Sequence, residues 1–455
     1  MRTRILAAAA TILLLAGCGG PKPEIPQQQA GNRPDTSKIK IDGDPDTPVN
    51  KLAIEAIADL QDFWSKEFGE LYGEDYKPVA GGFFASTPES QTGPKCAQSY
   101  DDVAGNAFYC KLDDSVAWDA QGLLPDLKDK FGDFVIPVVL AHEWGHAVQQ
   151  RSGFFDQNEI TVSSELQADC FAGAWAKHAQ GDKVFDVSNG DLDNALAGIL
   201  SLRDTPGTTV DNTPDAHGSG FDRVSAFQDG YDNSVKKCKG YKDGTPPVIE
   251  LPFNDALDEA AGGDAPYATI VNDVPYDMED YWTQVYPELT EGQQWEPVKG
   301  LEPFEASSPP DCGRNSTKGL VLFYCKLDDY IAWDNVDRLP EIYKEAGDYA
   351  VATLLATEFG QAAMQRMGDD SEGKTSILRG DCYAGAYTAS VILYNREATS
   401  SFHISPGDLD EGIKALLLFY GDGDVSEIGT GFDRTKAFRT GVIDGAESCL
   451  NYEDK

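Results

Sequence analysis

The feature that most constrains this chain is that it is written twice. Ala141 to Gly153 reads AHEWGHAVQQRSG, and Ala356 to Gly368 reads ATEFGQAAMQRMG. The same order of matching segments runs on either side. LQDFWSKEF at Leu60 answers MEDYWTQVY at Met278, and AFYCKLDDSVAWD at Ala107 answers LFYCKLDDYIAWD at Leu322. Further on, ADCFAGAWA at Ala168 matches GDCYAGAYT at Gly380. SNGDLDNAL at Ser188 matches SPGDLDEGI at Ser405, and GSGFDRVSAF at Gly218 matches GTGFDRTKAF at Gly429. A repeat of roughly two hundred residues can bury its own core, so the chain should hold two tandem domains. We place them at 51–240 and 267–455, joined by an acidic, Pro-containing linker at 241–266.

Within each copy the pattern is mixed. Phe108 to Cys110 and Ser115 to Trp118 flank an acidic turn and read as a hairpin. Val135 to Gln150, Ser164 to His178 and Asp191 to Leu202 carry apolar residues at helical spacing, the first stopped by Gly153. Helices around one small sheet give an α+β class, each unit mainly helical. The cysteines follow the duplication. Cys96, Cys110, Cys170 and Cys238 correspond to Cys312, Cys325, Cys382 and Cys449, and no Cys-x-x-Cys pair exists. Disulfides closed within each unit are the simplest framework, although four cysteines allow three connectivities. Sequence proximity favours Cys96 with Cys110 and Cys312 with Cys325. That leaves Cys170 with Cys238 and Cys382 with Cys449.

The N-terminus reads differently. Arg2 and Arg4 precede an apolar run from Ile5 to Leu15, too short to span a bilayer, and Leu-Ala-Gly-Cys follows. Residues 1–17 therefore read as a secretory signal. The last four resemble the bacterial lipobox, which implies cleavage before Cys18 and its acylation. Residues 18–50, poor in large apolar side chains, read as a flexible tether. The expected location is the bacterial cell envelope, outside the cytoplasm and held to the membrane by lipid. The formal charge of −39 disfavours nucleic acid and anionic headgroups as partners.

The first copy carries chemistry. His142, Glu143 and His146 form His-Glu-x-x-His, which on a helix sets two imidazoles one turn apart on one face. Such a pair can share one zinc ion, with Glu143 placed to take a proton from an activated water. A third ligand is needed, and SSELQADCFAGAWA offers Glu165 and Asp169 four residues apart. Glu165 is the better ligand candidate. Asp169 then suits a hydrogen bond that orients a ligand histidine, though the two roles could be exchanged. His217, in DAHGSGFDR, could orient substrate or stabilise an oxyanion, or simply cap the following helix. His178 and His403 show no partner pattern and read as ordinary surface positions.

AHEWGHAVQQ, SSELQADCFAGAWA, GDLDNALAG and HGSGFDR, taken together, resemble the bacterial family of neutral zinc metallopeptidases. With the earlier DFWSKEF and GNAFYCKLDD segments, the resemblance covers most of Leu52 to Cys238. It implies a zincin-like fold, with His142 and His146 as ligands, Glu143 as base, Glu165 as third ligand, and a polypeptide substrate. His217 matches a histidine of that family's last motif.

The second copy has dropped this constellation selectively. His142 becomes Thr357, His146 becomes Gln361, Glu165 becomes Ile377 and His217 becomes Ile428. Glu143 persists as Glu358 and Asp169 as Asp381, as do the cysteines and the FDR motif. Thr, Gln and Ile cannot build a zinc site, so the second unit reads as a degenerate pseudo-peptidase. The leading expectation is a secreted, lipid-anchored zinc peptidase active in its first domain. The alternative is a non-catalytic zinc-binding lipoprotein that serves as a scaffold.

Overall fold

The computed structural model describes residues 34–453, apart from short segments at 157–160, 183–184, 210–215, 242–245, 247, 397–401 and 419–427. The expected signal segment, Cys18 and much of the tether lie outside the described residues.

The first copy opens with α1 (Pro48–Tyr72). Thr47 Oγ1 accepts the Asn50 N–H at 3.1 Å, and Pro48 sits at the first helical position, where its missing N–H costs nothing. Three strands follow: β1 (Phe83–Ser86), β2 (Ala107–Cys110) and β3 (Ser115–Asp119). The central strand is β3. It pairs parallel with β1, Phe84 opposite Ala117, and antiparallel with β2, Phe108 opposite Ala117. The expected hairpin is β2–β3. The β1 strand was not foreseen: FFAS is too short to show a period of two.

The helices of this copy are α2 (Leu123–Phe131), α3 (Val135–Ser152), α4 (Thr161–Asp182), α5 (Asn189–Ser201) and α6 (Gly220–Cys238). Three of them are the helices anticipated at 135–150, 164–178 and 191–202, their ends moved by a turn or so. A short helix, α7 (Ala256–Ala261), lies within the expected linker, and Val248, Ile249 and Leu251 there pack against the core.

The second copy repeats the order with α8 (Tyr267–Leu289), β4 (Gly300–Phe304), β5 (Leu322–Cys325), β6 (Tyr330–Asp334), α9 (Arg338–Ala346), α10 (Asp348–Met367), α11 (Gly373–Leu393), α12 (Asp408–Leu418) and α13 (Gly431–Asp444). Its sheet order β4-β6-β5 matches β1-β3-β2. The α+β architecture of two tandem, mainly helical units is therefore present.

What positions the site is the burial of α3. This helix touches α1, α2, α4, α5 and β2, so it must be apolar on nearly every face. Val135, Val138, Leu140, Ala141, Trp144, Ala147 and Val148 are all buried. His142 and Glu143 are carried into the interior with them. Gly145 lets α3 and α4 meet: a Cβ there would lie 2.6 Å from Ala168 Cα. That contact falls between His142 and His146 on one helix, and between Glu165 and Asp169 on the other. The α4–α6 contact is as close, since a Cβ at Gly230 would lie 1.7 Å from the Cys170 carbonyl oxygen.

Disulfides join Cys96 to Cys110, Cys170 to Cys238, Cys312 to Cys325 and Cys382 to Cys449, each within one copy. The second ties α4 to α6, and the fourth ties α11 to the short turn Ala446–Cys449 that follows α13. Among the described residues no helix is long and apolar enough to cross a membrane.

Candidate metal centre

One turn of α3 separates His142 from His146, and their rings stand at 88° with centroids 4.9 Å apart. The Nε2 atoms of both face the same carboxylate: His142 Nε2 lies 3.1 Å from Glu165 Oε2, and His146 Nε2 lies 3.4 Å from Glu165 Oε1. The other ring nitrogens are held from behind. His142 Nδ1 is 2.7 Å from Asp169 Oδ1, and His146 Nδ1 is 2.9 Å from Gln149 Oε1. The Gln149 amide is itself oriented, its Nε2 donating to the Ser164 carbonyl at 2.6 Å. With acceptors on both Nδ1 positions, each imidazole can keep a proton there and offer its Nε2 lone pair to a metal ion that displaces the Nε2 proton. Two nitrogens and a carboxylate oxygen thus converge, with all three donors within 4.8 Å of one another.

This donor set, two imidazoles and one carboxylate, fits a catalytic zinc ion. The electrostatics agree with a cation. Burial works against the charged form of His142, yet Asp169 and Glu165 together carry its pKa up to about 10. Burial would raise the carboxyl of Glu165, but the two imidazoles hold it well below the usual range. Asp169 is also held low against burial, chiefly by Arg223. The Arg223 guanidinium binds Asp169 Oδ2 from Nε at 2.8 Å and Asp169 Oδ1 from an Nη at 3.1 Å. Asp169 therefore stands behind His142, whereas Glu165 stands in front of both rings.

Glu143 points elsewhere. Its Oε2 accepts the Tyr109 backbone N–H at 2.9 Å, tying α3 to the edge strand β2. Burial raises its pKa, partly offset by the two histidines. The cluster lies in a cleft of about 720 Å³, lined also by Ala107, Tyr109, Val139, Leu202 and His217. His217 is exposed on this wall, with its Nδ1 3.2 Å and its backbone N 2.6 Å from Asp204 carboxylate oxygens. His178 corrects the surface reading: it is partly buried, 3.5 Å from Asp59 Oδ2, with its ring against Phe63.

Two residues of this centre escaped the sequence reading. Gln149 looked like one polar residue near a helix end. The signal was its replacement, in step with the histidines, by Met364. In the second copy Gln361 fills the space of His146, and its Nε2 reaches the Ser376 carbonyl at 2.7 Å, the bond that Gln149 makes in the first. Arg223 belongs to the FDR motif common to both copies, and nothing local says which carboxylate it meets.

The equivalent site in the second copy lacks the donors but keeps its frame. Thr357 Oγ1 donates to Asp381 Oδ1 at 3.0 Å, and Arg434 holds the same carboxylate at 2.7 and 2.9 Å. Glu358 accepts the Tyr324 N–H at 2.7 Å, as Glu143 accepts that of Tyr109.

Comparisons with known proteins agree with this geometry. The family described as "Putative neutral zinc metallopeptidase" matches residues 12–241. The uncharacterized protein YpfJ of Escherichia coli K12 is 32% identical over 207 residues, which is 40% of this chain and 68% of that protein. The uncharacterized protein Rv2575 of Mycobacterium tuberculosis is 31% identical over 165 residues, 31% of this chain and 56% of that protein. No solved structure matches. With its His-Glu-x-x-His helix and Glu165 confined to the first copy, the chain belongs to the neutral zinc metallopeptidase family, its second copy being a degenerate duplicate.

Proposed function

We propose that the first copy is an extracytoplasmic zinc peptidase, anchored by lipid at Cys18, that hydrolyses peptide bonds with Glu143 as general base. The observation that carries this is the convergence of both Nε2 atoms on Glu165 at 3.1 and 3.4 Å, beside Glu143 in an open cleft. His142, His146 and Glu165 would hold the ion, and three protein donors leave a position for water or substrate. Zinc bound there would supply a Lewis acid that polarises the scissile carbonyl and acidifies a water. Glu143 takes the proton of the attacking water and returns it to the leaving amine, a task its raised pKa suits. Asp169 and Gln149 keep the imidazoles in the required tautomer. His217, on the cleft wall, is assigned to steadying the oxyanion.

Metal analysis tests this directly. The purified chain should carry one equivalent of zinc and cleave a peptide library, whereas His146→Ala should carry none and be inactive. With Thr357, Gln361 and Ile377 at the equivalent positions of the second copy, stoichiometric zinc retained together with activity in His146→Ala would sink the assignment.

The anchor rests on the Leu-Ala-Gly-Cys ending, and four disulfides support an oxidising compartment. Cys18→Ala should move the protein from the membrane fraction to the soluble one. Unchanged membrane association would point to another attachment.

A further inference from the structure

The two copies pack on each other through α5 and α6 of the first and α12 and α13 of the second. Asp193 and Asp410 hold equivalent places in the repeated Gly-Asp-Leu-Asp segment. Asp193 accepts the backbone N–H groups of Gly431 and Phe432 at 2.9 and 2.7 Å, at the start of α13. Asp410 accepts that of Phe221 at 2.7 Å, at the start of α6. Each carboxylate thus sits on the first turn of the other copy's helix, where unpaired donors and the helix dipole favour an anion. The fit is close: a Cβ at Gly220 would come 3.0 Å from the Asp410 carboxyl carbon.

We propose that Asp410, from the second copy, is a positioning residue for the metal centre of the first; this rests on the zinc-peptidase reading above. Asp410 pairs with the Arg203 guanidinium as well as with Phe221 N. It therefore joins two segments of the first copy, the chain just after α5 and the start of α6. Arg223 joins the same two segments from the inside. One guanidinium nitrogen donates to the Leu202 carbonyl at 2.8 Å, while Nε holds Asp169 at 2.8 Å. Asp169 holds His142 Nδ1 at 2.7 Å. The route from Asp410 to His142 thus runs through charge-assisted contacts and the short stretches of chain, 202–203 and 221–223, that join them. Leu202 and Arg223, which it steadies, also line the cleft. The mirror contact supplies a control: Asp193 braces α13, whose Arg434 holds Asp381 beside Thr357, where no ligand stands.

The test uses the full chain and compares Asp410→Ala, Asp410→Asn and Asp193→Ala. Zinc affinity is read by competition with a chromophoric chelator, and unfolding midpoints are recorded alongside. Groups that touch a ligand directly change metal affinity by about 10–100-fold, so Asp410→Ala, acting beyond both Asp169 and Arg223, should weaken zinc by about 3–10-fold. Asp410→Asn keeps an acceptor of the same shape and should recover much of that loss. Asp193→Ala should lower the unfolding midpoint comparably and leave zinc affinity at the wild-type value. Wild-type affinity in Asp410→Ala would overturn the proposal. So would equal weakening by Asp193→Ala, because that would mean general loosening. If Asp410→Ala fails to fold, Asp410→Ser against Asp193→Ser is judged by the same criterion, since serine lacks the charge and the length to hold both partners. A wild-type chain that binds no zinc would instead overturn the peptidase reading.

Discussion

Replacing Glu143 with glutamine should leave one zinc bound and lower turnover by about 10²–10⁴-fold, the usual contribution of a general base. The two results are separable because Glu143 is not among the converging donors. Its Oε2 accepts from Tyr109 N, and a glutamine oxygen can accept the same bond, so the junction of α3 with β2 should survive. What glutamine cannot do is take a proton. Alanine would be a poorer probe, since it strands the Tyr109 N–H in a buried place. Glu358 makes the matching bond to Tyr324 N at 2.7 Å with no ligands beside it. Glu358→Gln should therefore leave turnover untouched. Full activity in Glu143→Gln, measured on a cleaved peptide with zinc content checked, would show that another group serves as base.

The glutamate's double duty bears on what the sequence could reveal. His-Glu-x-x-His and Glu165 were legible because a helix fixes which residues share a face, and zinc accepts few donor types. The duplication sharpened the reading. Where ligands vanish together and cysteines stay, chemistry and fold separate on the page. Glu143 survives as Glu358 with no ligands beside it, and the bond to a strand backbone explains why. Glu165 is the better ligand candidate from sequence, but its exchange with Asp169 stays open until the fold sets it facing both Nε2 atoms. Both lie on one helix face, and which meets Nε2 rather than Nδ1 depends on the α3–α4 crossing set at Gly145. The contacts of Gln149, Arg223 and Asp410 join residues distant in sequence, and no periodicity encodes such pairings. The β1 strand was missed for a different reason, being four residues with no alternation.

Arg434→Ala should destabilise the chain by about 3–5 kcal/mol, as expected when a buried pair loses one partner. Asp381 is fully buried, and without the guanidinium it keeps only the Thr357 hydroxyl among the contacts described above. Arg223→Ala should cost a similar amount and also loosen zinc by about 10–100-fold, because Asp169 would lose its hold while orienting His142. Had the Asp–Arg pair served only the metal, it should have drifted along with Thr357, Gln361 and Ile377. Instead Arg434 grips Asp381 at 2.7 and 2.9 Å, almost as Arg223 grips Asp169 at 2.8 and 3.1 Å. The pair joins α4 to α6 and α11 to α13; the Cys170–Cys238 disulfide ties the first of these helix pairs, and Cys382–Cys449 ties α11 to the turn just after α13. It is thus part of the frame, and it meets the metal centre through the hydrogen bond between Asp169 and His142. Chemical denaturation and zinc competition on the two variants decide the matter. Wild-type stability in Arg434→Ala would remove the pair from the frame, and zinc loss equal to that of Arg223→Ala would deny that frame and site are separable.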